Sequence, residues 1–315
     1  KVALKGVDPR FTGKFRREHT RPHPSASGKL VEALESIWKD VKKGRVLLCS
    51  KLQESSLEGV VAVPVAWVPK MNPDRTLSDA GRIVWDATPV NEDCHKSNHF
   101  PAGQPKHQEL ARAILWWKSR LPGITILLSK KDVADAFKWL WLQAEACGLF
   151  ATELSLEDGV EGLSQEEREA LRSLVAIYLS MTFGWVGAPG EFMAFTWVIK
   201  RLHAAHTLAD SSWHDVVPFH SFFLMDDQVL VEPHIGLRAP MSVALAEACT
   251  VKVLGPEAIN LKKDAEEGRL ETHKIAWGLA YDTESETREL PKVKLEKATH
   301  LLHDEAYDYG NLYST

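Results

Sequence analysis

Two adjacent carboxylates interrupt an apolar stretch of the chain. Asp226 and Asp227 lie between the apolar runs 222–225 and 229–231, and both runs are typical of short buried strands. Aspartate is common in tight turns, so the pair could close a hairpin and do nothing more. Carboxylates at the ends of buried strands also bind hard cations. The sequence leaves both interpretations open at this point.

A second strand pattern upstream also ends in acidic residues. The run 124–128 is apolar, and Asp132 and Asp135 follow it. If the two strands were neighbours in one sheet, Asp132 would meet the pair at 226–227, and three carboxylates could share divalent cations. Polymerisation of nucleotides needs such a cluster, together with cations that neutralise the leaving pyrophosphate. The candidates for that positive charge are Lys70, Arg82, Lys262 and Lys263.

Composition restricts the class of protein without selecting a function. The 315 residues are 44% hydrophobic and 26% charged, which is typical of a globular chain. No apolar run has the length of a membrane span, no signal peptide is visible, and four separated cysteines favour a reducing compartment. The net charge of −5 gives no support to nucleic-acid binding, which would need a local basic groove.

The remaining patterns predict an α+β fold with a mainly antiparallel sheet. Apolar residues at helical spacing predict helices at 29–43, 108–121, 191–206, 241–254 and from 292 onward. Further strands are predicted at 60–68, 82–86, 148–154, 174–179 and 275–282, and a short strand or turn is expected at 258–263.

Six motifs occur along the chain in the same order as in the reverse transcriptase family, and each resembles the family's motif. The segment 132–137 is similar to the family's Asp-x-x-Asp-Ala-(Phe/Tyr) motif, and 224–227 is similar to (Tyr/Phe)-x-Asp-Asp. The turn 181–189 resembles the Leu-Pro-(Phe/Gln)-Gly-x-x-x-(Ala/Ser)-Pro turn of the family. The other similar segments are the Leu-Gly…Lys-Lys element at 254–263, the primer-grip strand at 277–279, and the fingers strands at 68–70 and 82–91. The Phe183-Gly184 form resembles long-terminal-repeat or tyrosine-recombinase (DIRS-like) retrotransposons more than retroviruses.

The resemblance implies a right-hand polymerase fold, in which an antiparallel palm sheet packs on helices. It extends from about residue 60 to 300. The implied divisions are an N-terminal arm with fingers at 1–105, a first palm segment at 106–142, a second fingers segment at 143–187, a second palm segment at 188–285, and a primer-grip exit with the start of a thumb at 286–315.

The implied activity is that of an RNA-directed DNA polymerase, which adds deoxynucleotides to a primer 3′ end by a two-metal-ion mechanism. Asp132, Asp226 and Asp227 would bind two Mg²⁺ ions, or Mn²⁺, and the backbone of Val133 would complete the metal shell. Lys263, or Lys262 beside it, would protonate the pyrophosphate.

Other residues acquire substrate roles by the same resemblance. Phe137 would lie under the sugar and exclude a 2′-hydroxyl, which favours synthesis of DNA and disfavours an RNA-dependent RNA polymerase. The remaining roles are triphosphate binding for Lys70 and Arg82, contact with template and incoming base for Phe183 and Gly184, and positioning of the primer end for Trp277 and Gly278.

The implied partners are an RNA or DNA template, a DNA or RNA primer and deoxynucleoside triphosphates, with no membrane. We expect a downstream nuclease domain in a longer retroelement polyprotein, and an intracellular location in a cytoplasmic particle or the nucleus.

Three departures from the family pattern keep another function open. Leu224 replaces an aromatic residue, Met181-Thr182 replaces Leu-Pro, and Gln228 replaces an apolar residue. None of these removes a carboxylate. The alternative is a domesticated, non-catalytic nucleic-acid-binding module on the same fold.

Overall fold

The structure is a computed structural model. It describes residues 2–14, 18–19, 23–26, 28–50, 59–71, 77–155, 164–165, 173–208, 212–214 and 216–302. The end of the predicted thumb segment, 303–315, lies outside the described residues. The chain divides into two compact units, one of residues 1–103 with 135–194 and the other of residues 104–134 with 195–315. The assignment of fingers and palm to these ranges stays a prediction.

Helices and strands are mixed along the whole chain. The helices are α1 (Val2–Lys5), α2 (Leu30–Lys42), α3 (Thr88–Asn91), α4 (His107–Arg120), α5 (Ala188–Ala204), α6 (Arg238–Leu254), α7 (Leu261–Glu267) and α8 (Lys292–Leu302). The strands are β1 (Glu18–His19), β2 (Val46–Ser50), β3 (Val61–Ala62), β4 (Val65–Met71), β5 (Leu77–Trp85), β6 (Ile126–Asp132), β7 (Ala151–Ser155), β8 (Ser173–Tyr178), β9 (Ser221–Leu224), β10 (Asp227–Pro233), β11 (His273–Ala276), β12 (Leu279–Asp282) and β13 (Thr287–Glu289).

The first unit contains a sheet of order β1-β3-β7-β8-β2 and a separate β4-β5 hairpin. The β1–β3 and β3–β7 pairs are parallel and the others are antiparallel, so this sheet is more mixed than the sequence predicted. Two aromatic pairs lie in the core of this unit. Trp85 packs edge-on against Tyr178 with 4.7 Å between ring centroids, and Phe150 packs against Trp185 at 5.5 Å.

The second unit is built on an antiparallel sheet of order β6-β10-β9. The apolar side of α4 covers this sheet, and each buried aliphatic side chain contributes about 1.5–3 kcal/mol relative to exposure. The shared core consists of Leu110, Ile114, Trp117, Ile126, Leu128, Phe222, Val229, Val231, Ala276 and Tyr281. An antiparallel sheet packed on a helix is therefore confirmed for this unit.

Two predicted elements differ from the structure, one of them only in part. The predicted strand 275–282 is a hairpin, because Trp277 and Gly278 have φ values of +51° and +88° and two consecutive positive φ angles reverse the chain between β11 and β12. The predicted strand or turn at 258–263 is correct in its first half, where Ile259 forms an antiparallel bridge with Val133, and wrong in its second half, which begins α7. Asn260 starts that helix, since its side chain accepts a hydrogen bond from the Lys263 N–H at 3.3 Å.

Among the described residues, no helix is long and apolar enough to cross a bilayer.

Candidate active site

Strands β9 and β10 present the acidic pair at a tight hairpin. Met225 and Asp226 form the turn, and Asp227 begins β10 opposite Leu224. Met225 has a φ of +54°, a conformation that costs a non-glycine residue about 1–3 kcal/mol. The predicted hairpin is confirmed, with Asp227 in the strand rather than in the turn.

The register of the sheet brings Asp132 to this hairpin. Strand β6 ends at Asp132, directly opposite Asp227 on β10. The next residue, Val133, donates its N–H to the carbonyl oxygen of Asp226 at 2.9 Å. Directly opposite residues of an antiparallel pair project from the same face with Cβ atoms about 4.5–5.5 Å apart. The predicted adjacency of the two acidic strands is therefore confirmed.

Asp132 is a buried residue, 5% exposed, and each of its two carboxylate oxygens has a hydrogen-bond partner. It accepts hydrogen bonds from Lys263 Nζ at 2.5 Å and from Asn260 Nδ2 at 2.8 Å. The Asn260 N–H also donates to the Asp132 carbonyl at 3.1 Å. The sequence reasoning missed Asn260, although an asparagine three residues before Lys263 is a typical helix N-cap signal.

A second lysine approaches the site from β6 itself. Lys130 Nζ lies 3.5 Å from Asp227 Oδ1 and 2.7 Å from Glu267 Oε2. Burial lowers the pKa of Lys130, but the two carboxylates outweigh it and raise the pKa above its ordinary value. The sequence reasoning missed this residue, because a lysine in an alternating strand is usually solvated.

Burial is the largest cause that raises the pKa of both hairpin carboxyls. For Asp226, the charges of Asp132 and Asp227 raise the pKa further. For Asp227, Asp132 again raises the pKa, while Lys130 and Lys263 lower it. Burial lowers the pKa of Lys263, yet its bond with Asp132 leaves it raised. Like charges disfavour each other's ionised form, and a bound cation would remove that repulsion.

The donor set suits a hard cation in its chemistry. Two carboxylates on paired strands and a third in the adjoining turn are ligands of the type that Mg²⁺ prefers. The Val133 N–H is bonded to the Asp226 carbonyl, and the role of the Val133 backbone as a metal ligand stays a prediction. Within the described part of the chain, however, no three His, Cys, Asp or Glu side chains already form a metal-binding group. The Asp132 carboxylate faces Lys263 and Asn260 instead.

The predicted primer-grip residues occupy the β11–β12 turn rather than a strand. The Gly278 carbonyl accepts a hydrogen bond from Lys294 Nζ at 3.2 Å. The half-buried ring of Trp277 lies 6.5 Å from the ring of Phe222, measured between centroids. Lys262 is exposed in the first turn of α7.

The first unit contains the other predicted substrate residues. Lys70 and Arg82 are exposed on the β4–β5 hairpin, where Arg82 lies opposite Val68. Phe137 is 7% exposed, and its ring packs edge-on against Phe183 at 4.8 Å between centroids.

The turn after Phe183 is fixed by a glycine and an asparagine. Gly184 has a φ of +94°, and a Cβ there would lie 2.5 Å from the Trp85 carbonyl oxygen. The Asn91 side chain donates to the Gly184 carbonyl at 2.9 Å and accepts from the Val186 N–H at 2.8 Å. Only glycine is compatible with this turn.

Asp135, the second acid of the 132–137 motif, belongs to a different set of contacts within the first unit. Its carboxylate accepts from Lys43 at 2.7 Å and Arg45 at 2.6 Å. This ion pair holds the 3₁₀ turn that begins at Ala136.

No protein-family model matches the sequence, and no curated protein matches it. Solved structures do resemble it, among them the foamy viral protease-reverse transcriptase dRH in complex with double-stranded DNA. That structure has a TM-score of 0.51 at 15% identity, over 95% of this chain and 40% of the other. The foamy viral protease-reverse transcriptase in complex with double-stranded DNA gives 0.54 at 13% identity, over 95% and 47%. This chain spans less than half of either structure, and it has a reverse-transcriptase-like fold.

Proposed function

We propose that this chain is an RNA-directed DNA polymerase that adds deoxynucleotides to the 3′ end of a primer. The observation that carries the proposal is the register of β6 and β10, which sets Asp132 opposite Asp227 with Asp226 in the adjoining turn. The mutual effects on the pKa of the hairpin acids support a shared site. The reverse-transcriptase-like fold supports the same activity.

The three carboxylates would hold two Mg²⁺ ions, or Mn²⁺, together with the Val133 backbone. Such ions, when bound, activate the attacking hydroxyl and stabilise the leaving oxygen. Strand pairing fixes the backbone of Asp132 and Asp227, and the Asp132 carboxylate would exchange its contact with Lys263 for the ions. Asn260 keeps one Asp132 oxygen oriented through its 2.8 Å bond.

Lysine and arginine side chains would neutralise the negative charge of the triphosphate and of the leaving pyrophosphate. Lys263, whose ammonium already lies at Asp132, is suited to protonate the pyrophosphate, with Lys262 beside it on the same turn. Lys70 and Arg82 would bind the triphosphate through the exposed β4–β5 hairpin. Neutralisation of this charge is a main source of catalysis in phosphoryl transfer.

Phe137 would select the sugar of the incoming nucleotide. Its ring is held edge-on by Phe183 and by Phe192, at 4.8 and 5.4 Å between centroids, so it would exclude a 2′-hydroxyl by shape. A Phe137→Ala variant is then expected to accept ribonucleotides roughly tenfold or more readily. The measurement is the ratio of kcat/KM for a deoxynucleotide and its ribonucleotide, and an unchanged ratio rules out this role.

Template and primer contacts complete the proposal. Phe183 and Gly184 would contact the template and incoming base, and Trp277 and Gly278 would position the primer end from the β11–β12 turn. The chain would act on an RNA or DNA template within a retroelement polyprotein, with a nuclease domain downstream, in a cytoplasmic particle or the nucleus. The long-terminal-repeat or DIRS-like subtype also stays a prediction.

Primer extension on an RNA template with Mg²⁺ tests the activity. The Asp226→Asn variant is expected to lose roughly a thousandfold in rate, because it removes one ligand charge. Asp282→Asn is the matched control, since Asp282 accepts bonds from the N–H groups of Glu284 and Ser285 in the turn that follows β12, away from the three site carboxylates. Equal extension by wild type and Asp226→Asn would contradict the mechanism.

Two observations favour the non-catalytic alternative. Asp132 already has two side-chain partners that satisfy its carboxylate, and the net charge is −5. A pure binding module would bind a primer–template equally well with EDTA or Mg²⁺, and it would bind no deoxynucleotide. Mg²⁺-dependent binding of a deoxynucleotide favours the polymerase.

A further inference from the structure

Helix α7 meets three consecutive residues of β6 with three opposite charges. The order of signs along β6 is plus, plus, minus, and α7 supplies the complementary set. The pairs are Lys130 with Glu267, Lys131 with Asp264, and Asp132 with Lys263. Only the last of these pairs contains a residue to which the proposed function assigns a role.

Lys130 and Lys131 project to opposite faces of the sheet, because side chains alternate along a strand. Lys130 therefore shares the face of Asp132 and of Asp227, which lies opposite Asp132. Lys131, only 4% exposed, is bound by Glu247 of α6 and by Asp264. Lys131 fastens helices to the strand, whereas Lys130 is directed at the acidic site.

The surroundings of Lys130 hold its ammonium beside the site. Its side chain is 13% exposed, with Glu267 at 2.7 Å on one side and Asp227 at 3.5 Å on the other. A lysine that is mostly buried between two carboxylates has few alternative positions, so it restrains the acid that it touches. Its charge also offsets part of the repulsion among the three site carboxylates.

We propose that Lys130, held in place by Glu267, is a positioning residue that orients the Asp227 carboxylate and moderates the affinity of the site for divalent cations. The inference rests on the proposed function. Loss of the lysine has two consequences of opposite sign. The site becomes more negative and binds a divalent cation more tightly, while Asp227 loses its restraint and the reaction slows.

The test compares five proteins: wild type, Lys130→Met, Lys130→Arg, the control Lys118→Met, and Asp226→Asn, which shows how much of the Mn²⁺ binding belongs to the site. Lys118 lies on α4, and its ammonium forms an ion pair with Glu286 at 2.9 Å instead of with a site carboxylate. Free Mn²⁺ is followed by electron paramagnetic resonance during titration with Mn²⁺ alone, and primer extension is measured separately. Thermal unfolding shows that each variant is folded.

Lys130→Met is expected to bind Mn²⁺ about fivefold more tightly and to extend primers about tenfold more slowly. Lys130→Arg and Lys118→Met should remain within about twofold of wild type in Mn²⁺ affinity. A merely structural lysine would not give tighter metal binding with a slower reaction.

Other outcomes separate this inference from the proposed function. Wild-type affinity in Lys130→Met, or the same change in Lys118→Met, overturns the role of Lys130 alone. A wild-type protein that binds Mn²⁺ but extends no primer overturns the polymerase activity, and the affinity change still decides whether Lys130 moderates the site. If the wild-type protein binds no more Mn²⁺ than Asp226→Asn does, both the role of Lys130 and the proposed polymerase site are overturned.

Discussion

Strand β10 carries an acidic residue near each end, and the two have opposite environments. Glu232 is 1% exposed and accepts bonds from Arg238 Nε at 2.7 Å and Ser242 Oγ at 2.8 Å. Asp227 is half-buried, its ion pair with Lys130 is 3.5 Å long, and it lies opposite another carboxylate, Asp132. Glu232, which is buried and hydrogen-bonded, joins α6 to the sheet. Asp227, which is partly exposed and lies beside another carboxylate, is available to a ligand.

At the Glu232 end of β10, which we call the structural end, Arg238 has a partner for most of its donors. Besides Glu232, its guanidinium donates to the carbonyls of His214 at 2.6 Å and Val217 at 2.9 Å. It also lies over the ring of Trp117 at 4.7 Å. Its NH1 and Nε donors thus have partners, and the charge also contacts an aromatic face. Burial of a charge is tolerated only with such compensation.

The largest expected effect breaks the structural end. Arg238→Met leaves the Glu232 carboxyl buried without its partner, so we expect a loss of about 3–5 kcal/mol in the free energy of unfolding. The measurement is chemical denaturation followed by tryptophan fluorescence. Arg201→Met, which removes an exposed guanidinium from the ring of Trp197, is the control and should cost under about 1 kcal/mol. Equal losses would remove the distinction between the two ends.

The pH dependence of stability tests the same end. Burial raises the pKa of Glu232 from 4.5 to about 7 against the effect of Arg238. Because the folded pKa is the higher one, the folded state binds this proton more tightly. The contribution is complete below about pH 4.5 and is lost as the pH rises through about 7. Glu232→Gln should remove this decline relative to wild type. A variant that retains the full decline would contradict the assignment.

The smallest expected effect is a gain in the free energy of unfolding, and it concerns the Asp226–Asp227 end of β10. Asp226→Asn removes a carboxylate whose pKa is raised first by burial and then by Asp132 and Asp227, so we expect a gain of roughly 0.5 kcal/mol in stability in EDTA at neutral pH. Asp282→Asn should lower stability, because backbone hydrogen bonds lower the pKa of Asp282. Destabilisation by Asp226→Asn would show that the acid serves the fold.

Much of the site can be predicted from the sequence because its parts follow local rules. Apolar runs before Asp132 and on both sides of Asp226 predict strands, and strand pairing then brings the acids together. The motif order also anticipates the reverse-transcriptase-like fold that the solved structures share. Alternation along β6 places Lys130 on the face of Asp132, but the pattern does not distinguish a solvated lysine from one held by Glu267.

The elements that sequence reasoning missed depend on contacts distant in sequence. Helix α7 is short, and its ion pairs with β6 join residues more than 130 positions apart, such as Lys131 with Asp264. The pattern at 275–282 predicts a continuous strand and not the turn at Trp277-Gly278, because a tryptophan at positive φ is rare. Gln228 is 1% exposed, and no partner of its Nε2 is found among the described residues. An apolar residue would suit that place better.

The central claim is that Asp132, Asp226 and Asp227 hold a divalent cation at the β6–β10 register. Fe²⁺ in place of Mg²⁺, with ascorbate and peroxide, generates radicals that cleave the backbone beside a bound ion. Mass spectrometry of the fragments should locate cleavage around residues 131–134 and 225–228 in wild type, and Asp226→Asn should lose it. Cleavage elsewhere, or an unchanged pattern in Asp226→Asn, would contradict the claim.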